Sequence, residues 1–363
     1  MSKTTTSQGK SQAGAFTLLH GAAQDENLGS TGNVVVLAVG RADTIEVTDG
    51  ARNTLLLAGA QEVGSLGPSS SNNEVIVAGG SDTVSVGGSN RVDFYGANGD
   101  VQLLPTLRAD SLVPLNAVNV TAHGAGELQV GGTGGSLNFQ GDSGRYTIEA
   151  ATASATISGG SGGGLFEGGD YAFGYDPIHR FHAGNNVITA GLGRSTLVGS
   201  QYGTSKLEAV GSAHDVLMAE EYGQTTISGG ASTGNDLLEG YLGPFTPSAD
   251  FNHPSPMTLF TAGSGNDTLV AGAGASTMAS GAGNDVFRFI DAPSNAAPGG
   301  NAALIANFTP GKDHIDLQGF ATTPAETLAA ADFTGGGTVL HLDGGTTVTV
   351  TGANLLRSDL TRS

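Results

Sequence analysis

The sequence predicts an all-β protein. The fold is a parallel β-solenoid, a roll or helix of half-coils nine or ten residues long, closed by a C-terminal β cap. Three observations carry this. Residues 262–288 divide without gaps into three nonapeptides, AGSGNDTLV, AGAGASTMA and SGAGNDVFR. From Val34 onward, pairs of apolar residues in the form x-U-x-U recur at a short, steady interval, which is the mark of a coil. Sixty of the 363 residues are glycine and 13% are charged, with neither a collagen period nor a shortage of apolar residues.

Taken in order, residues 1–30 are polar apart from Phe16–Leu19 and read as a flexible or docking segment. Residues 31–158 read as degenerate solenoid. Val34/Val36, Ile45/Val47, Leu55/Leu57, Val75/Val77, Val84/Val86, Val92/Phe94 and Val101/Leu103 alternate as strands with one face inward. Asp43, Asn53, Asn73 and Asp82 each stand two residues before an apolar position, but the glycine turns around them are degraded. Pro105 and Pro114 interrupt the rhythm, since proline gives no N–H to a ladder. It resumes with Val118/Val120, Leu128/Val130, Leu137/Phe139, Tyr146/Ile148 and Ile157.

Residues 159–184 form a Gly-rich excursion with Phe166, Tyr171, Phe173, Tyr175 and Phe181. Over 185–290 the solenoid returns through Ile188, Leu197, Leu207, Leu217, Ile227 and Leu238. A second excursion, 240–256, precedes the nonapeptides. Residues 291–363 change character and read as a cap over the open end, where unpaired backbone would otherwise invite stacking.

Within the nonapeptides, position six holds Asp267, Ser276 and Asp285, and position eight holds Leu269, Met278 and Phe287. Glycines there permit turns through φ > 0 and the close approach of carbonyls. The pattern resembles the RTX calcium-binding repeat G-G-x-G-x-D-x-U-x. That resemblance implies Ca²⁺ held by Asp267 and Asp285 with the turns of Gly263, Gly265, Asn266, Gly281, Gly283 and Asn284, backbone carbonyls completing the oxygen shell. Successive nonapeptides should turn on opposite edges, so the first and third share an edge and the second, with Ser276, has lost its carboxylate. Asp215 and Asp236 should meet on one edge for the same reason. Residues 301–356 hold I-x-N-F-x-P-G-x-D-x-I-D-L and G-T-x-V-x-V-x-G. They resemble the terminal module of serralysin-type and other type I-exported RTX proteins. This implies a secreted or cell-surface protein of a Gram-negative bacterium, exported by an uncleaved C-terminal signal.

A net charge of −19 leaves no basic face for nucleic acid and suits divalent cations. Zero cysteines exclude disulfides and thiolate chemistry. No apolar run approaches a membrane span, and the N-terminus lacks the apolar region of a Sec-type signal. H-E-x-x-H and G-x-S-x-G are both missing. The run FGYDPIH (173–179) resembles the Y-G-x-D-P-H-E loop of mannuronan C5-epimerases, but Ile178 intervenes and no Glu follows. Asp176, His179, Arg180 and His182 therefore read as part of an aromatic cover over a lost strand, and the scattered histidines as surface or capping residues.

The sequence thus leads to a non-enzymatic expectation: a structural or adhesive cell-surface, filament or matrix protein that Ca²⁺ folds. Its partners would be further copies of itself, in polymers or a lattice, and a surface polysaccharide. Phe16–Leu19 would add to a neighbour's sheet or fold back as the monomer's own cap. The alternative is a polysaccharide-active β-helix (epimerase or lyase), or a carbohydrate-binding module, using residues near 165–182.

Overall fold

The computed structural model describes residues 16–363, apart from 105–116, 170–183, 244–256, 292–301 and the positions 22, 31, 68, 96–97, 125, 202 and 221. The chain divides into two compact units, Met1–Val187 and Ile188–Ser363. Both are built almost wholly of parallel strands, and Pro324–Ala329 is the single α-helix among the described residues.

In the first unit each strand pairs with the next but one, so two parallel ladders run side by side. One ladder stacks Phe16–Leu19, Val35–Ala38, Thr54–Leu57, Ser71–Val77, Ser89–Tyr95 and Ala117–His123. The other stacks Asp25–Gly29, Thr44–Val47, Val63–Leu66, Ser81–Val86 and Asn98–Leu103. Two long strands, Glu127–Gln140 and Arg145–Ser158, then serve both ladders. A coil takes 19 or 20 residues along the early stretch.

Alternation places every second side chain inside. Val36, Leu55, Val75, Val92, Val120, Phe139 and Ile157 stand in register along one ladder, each almost fully buried. Ile45, Gly64, Val84, Val101, Val130, Ile148 and Phe166 do so along the other. Each coil therefore seals only its neighbours' apolar faces, and stability is a nearest-neighbour property.

Two expectations change here. Phe16–Leu19 and Asp25–Gly29 are not a loose segment: they belong to the first coil, paired in parallel with Val35–Ala38 and Thr44–Val47. Phe166 does not belong to an excursion either. It lies on the strand Gly164–Glu167, in register with Ile148 and fully buried. Tyr171, Phe173, Tyr175, Asp176, His179, Arg180, Phe181 and His182 lie outside the described residues.

The second unit repeats the plan. Ser195–Val198, Val216–Met218, Leu237–Glu239, Thr268–Val270, Val286–Ile290 and His314–Gln318 form one ladder. Gly203–Gly211, Gln224–Ser232, Met257–Thr261, Ala275–Ala279 and Ala302–Ala306 form the other. The first and third nonapeptides therefore stack together, Leu269 on Phe287, while the second belongs to the opposite ladder.

The C-terminal module ends both ladders. Thr347–Val350 adds in parallel to Ala302–Ala306, then pairs antiparallel with Gly337–His341, which breaks the parallel stacking pattern. Leu360–Thr361 adds to His314–Gln318. The helix starts with a capping box in which Thr323 and Glu326 satisfy each other's backbone N–H groups.

Candidate metal centre

Along one edge of the second unit the chain enters five of the ladder's six strands through a buried Asp, two residues before the inward apolar side chain, and the first through Ser195. These carboxylates form a continuous ladder. The N–H of Ser195 donates to Asp215 Oδ1 (2.7 Å), that of Asp215 to Asp236 Oδ1 (2.9 Å), and that of Asp236 to Asp267 Oδ1 (2.7 Å). The N–H of Asp267 then donates to Asp285 Oδ1 (2.9 Å), and that of Asp285 to Asp313 Oδ1 (3.0 Å). All five carboxylates are buried.

The second oxygens divide into two kinds. Asp267 Oδ2 accepts the N–H of Gly263 (2.7 Å), Asp285 Oδ2 that of Gly281 (3.0 Å), and Asp313 Oδ2 that of Thr309 (2.8 Å). Asp215 Oδ2 and Asp236 Oδ2 are buried with no hydrogen-bond partner. A buried acceptor left unmet costs about 1–3 kcal/mol.

The repeat glycines answer to contact more than to φ. Gly263 O fills the place a Cβ on Gly281 would need, and Gly234 O does the same at Gly265. Gly229 O and Ser232 O crowd Gly263, and Gly265 O crowds Gly283, where φ is also positive at 123°. Carbonyls of one coil thus lie against the α-carbons of the next. Asn266 and Asn284 make a second, outer ladder: Asn266 N–H donates to Asn235 Oδ1 (2.7 Å), and Asn284 N–H to Asn266 Oδ1 (2.8 Å).

Burial raises the proton affinity of Asp215, Asp267 and Asp285. Asp285 is pushed up to about 6, first by burial and then by the charges of Asp267 and Asp313, against the N–H groups it accepts from Asp267 and Gly281. Asp215 rises to about 6 by burial and the charge of Asp236, opposed by the Ser195 N–H, Arg194 and His214. Asp267 is raised chiefly by burial. A cation among them would relieve both burial and repulsion.

The residues fit a hard divalent ion. Every donor is oxygen, and two carboxylate oxygens are buried and unmet. Among the described residues no three acidic or histidine side chains converge, so a cation here would draw on Asp215, Asp236, Asp267 or Asp285 together with the turn carbonyls. The opposite edge carries Ser205, Thr225, Thr258 and Ser276 in register, without a carboxylate.

Sequence reasoning missed three members of such edges. Asp313 extends the ladder into the cap, and its signal was present, two residues before Ile315. In the first unit, Gln24 N–H donates to Asp43 Oδ1 (3.0 Å), Asp43 N–H to Glu62 Oε2 (3.0 Å), and Glu62 N–H to Asp82 Oδ1 (2.7 Å). Glu62 escaped notice because its strand has Gly64, not an apolar residue, at the inward position. Burial and the charge of Asp43 push Glu62 up to about 7, the Asp43 and Ala60 N–H groups tempering the rise; burial pushes Asp82 to about 6. Asn90 completes the asparagine ladder on the other edge, where Val34, Asn53 and Asn73 N–H groups donate to Asn53, Asn73 and Asn90.

Residues 257–357 match the family described as Peptidase M10 serralysin C terminal. The match covers the strand Met257–Thr261, all three nonapeptides and the C-terminal module as far as Arg357, and bears on the C-terminal part of that peptidase family alone. No curated protein matches the chain.

Proposed function

We propose that this chain is a secreted calcium-binding β-solenoid with a structural or adhesive role at the cell surface, as part of a filament, layer or matrix. The observation that carries the reading is the carboxylate edge of the second unit, which runs from Asp215 through Asp236, Asp267 and Asp285 to Asp313. The match to the serralysin C-terminal region supports calcium as its ligand and export by the type I route. Calcium then acts in folding: extracellular modules bind at ~10⁻⁴–10⁻³ M, so the edge would stay unliganded in the cytosol and load outside.

Self-association is part of the proposal. Among the described residues Phe16–Leu19 pairs only with Val35–Ala38, and Phe16 and Leu18 are 64% and 47% exposed. A strand with one described partner and exposed apolar side chains suits addition of a neighbour's strand, and such head-to-tail contacts propagate unless the rotation closes. Electron microscopy of the purified chain with Ca²⁺ and with chelator tests this. Ordered polymers that need both Ca²⁺ and Phe16–Leu19 are expected; a monomer at every protein and calcium concentration overturns it.

A second reading, a polysaccharide-binding or polysaccharide-active face, is favoured by one place in the first unit. Tyr95 and His123 stack with centroids 4.4 Å apart and both half exposed, beside buried Asp93, which Arg91 pairs at 2.7 Å. Aromatic faces of this kind suit sugar rings. Soluble polysaccharide that shifts the mobility of the native chain but not of Tyr95→Ala would favour it.

A further inference from the structure

The first unit lacks the repeat, yet its acidic edge has the stronger need for a partner. Asp43, Glu62 and Asp82 follow one another in consecutive coils and are all but completely buried. Each uses one carboxylate oxygen to accept a backbone N–H, and in each the other oxygen, Asp43 Oδ2, Glu62 Oε1 and Asp82 Oδ2, is buried without a hydrogen-bond partner. Among the described residues no cationic side chain pairs with these three acids. Arg41, two residues from Asp43, donates its Nε to Gln61 Oε1 at 3.3 Å instead.

The unmet oxygens do not stand alone. Glu62 Oε1 and Gly40 O both occupy the space a Cβ on Gly59 would take. One coil earlier, Asp43 Oδ2 and Gly21 O share the corresponding space at Gly40. Two oxygens crowding one such point lie within the reach of a single ion whose ligands sit at 2.3–2.6 Å. Glycine at 40 and 59 keeps the space open. The flanking turn residues, Arg41 and Ala42 in one coil and Ala60 and Gln61 in the next, are exposed, so water can complete a shell from outside.

We infer that the Asp43–Glu62–Asp82 edge binds a hard divalent cation of the calcium class between adjacent coils, with Glu62 Oε1, Asp43 Oδ2 and the carbonyls of Gly21 and Gly40 as ligands. This site is independent of the repeat edge of the second unit. No three acidic side chains converge there, so carbonyls and water supply most of the shell. A proton is the rival occupant, since it too would quiet an unmet carboxylate.

Hydrogen exchange read by mass spectrometry on the full-length chain decides between them, with Ca²⁺ compared with chelator at fixed pH. Peptides spanning 38–46 and 57–66 are expected to exchange about tenfold more slowly with Ca²⁺, because opening that edge would require release of the ion. Glu62→Gln keeps an acceptor for the Asp43 N–H and offers an amide N–H₂ to Gly40 O. It should stay folded, lose the calcium response at 38–66 and keep any response at 262–288. If Glu62→Gln disturbs the first unit, Asp43→Asn, which keeps an acceptor for the Gln24 N–H, gives the same comparison at 38–66. Exchange at 38–66 that follows pH but ignores Ca²⁺ overturns the inference in favour of the proton. Protection at 262–288 reports separately on the repeat edge, so either site can fail without the other.

Discussion

The two acidic edges differ in one respect that decides their chemistry. At Asp267, Asp285 and Asp313 the residue four earlier gives its N–H to the second carboxylate oxygen. At Asp43, Glu62 and Asp82 the residue four earlier is Val39, Ala58 or Ala78, and its N–H is already given to Leu19 O, Ala38 O or Leu57 O. The strand before the turn simply runs on longer. Asp215 and Asp236 obey the same rule, for their preceding strands extend through Gly211 and Ser232, and their Oδ2 atoms are unmet. Where the strand stops early, a free N–H folds onto the acid and the turn is self-sufficient. Where it does not, the acid is left wanting a proton or a cation. Turn geometry, more than the choice of Asp or Glu, sorts the sites.

The largest expected effect tests that contrast directly. In chelator, Asp285→Ala strips partners from the buried N–H of Asp267 and the part-buried N–H of Gly281, and should cost on the order of 2–3 kcal/mol of unfolding free energy. Asp43→Ala strips only the Gln24 N–H and removes an unmet oxygen, so it should cost about 1 kcal/mol or less. Urea unfolding with an unchanged m-value measures both. Equal costs would mean that the second oxygen is irrelevant. Asp267→Ala combined with Asp285→Ala should cost less than the two separately, because Asp285 accepts the Asp267 N–H and the two turns are in direct contact.

Calcium comes next. A ligand held only by the folded edge adds about 2.7 kcal/mol at one hundred times its Kd. Circular dichroism during a Ca²⁺ titration should show β signal rising and the thermal midpoint climbing. A β signal indifferent to chelator would sink the folding role.

Much of this was legible in the sequence, and the gaps have physical reasons. Alternating apolar pairs gave nearly every strand of both ladders, because a coil must bury one face against the next. The first coil was missed because Asp25–Gly29 turns Glu26 and Leu28 inward, so its pattern is half polar. The acidic edge of the first unit was half seen. Its left-handed turns rest on Ala42 and Gln61, at φ 59° and 61°, where the repeat pattern would lead one to look for glycine. Position eight of a repeat can be read from spacing. Which N–H reaches a carboxylate cannot, since it depends on where the preceding strand lets go.

Proton linkage gives a moderate effect with a definite sign. Glu62 ionises near 4.5 when unfolded and near 7 in the cation-free fold, so between those values the folded chain holds the extra proton. Stability then falls as pH rises through that window, the opposite of an acid held by a salt bridge. Asp82, Asp215 and Asp285, raised to about 6, push the same way over the lower part of it. Thermal midpoints in chelator should therefore drop between pH 5 and about 7.5. Glu62→Gln should flatten the upper part of the curve. A midpoint that rises with pH in the wild type would mean the acids are served by partners other than those described.

The smallest effect is also informative. Ser276→Ala should change stability by no more than about 0.5 kcal/mol. Ser276 occupies the position in the second nonapeptide that Asp267 and Asp285 hold in its neighbours, and the three would be equivalent if the repeats shared one edge. They do not: Ser276 stands in register between Thr258 and Ala303 on the opposite ladder. The next coil already carries alanine there, so the substitution extends an arrangement the fold tolerates. No carboxylate on that edge joins coil to coil among the described residues, and removing a hydroxyl breaks no ladder. A cost matching that of Asp285→Ala would require Ser276 to share the acidic edge, and the alternation of edges would have to be abandoned.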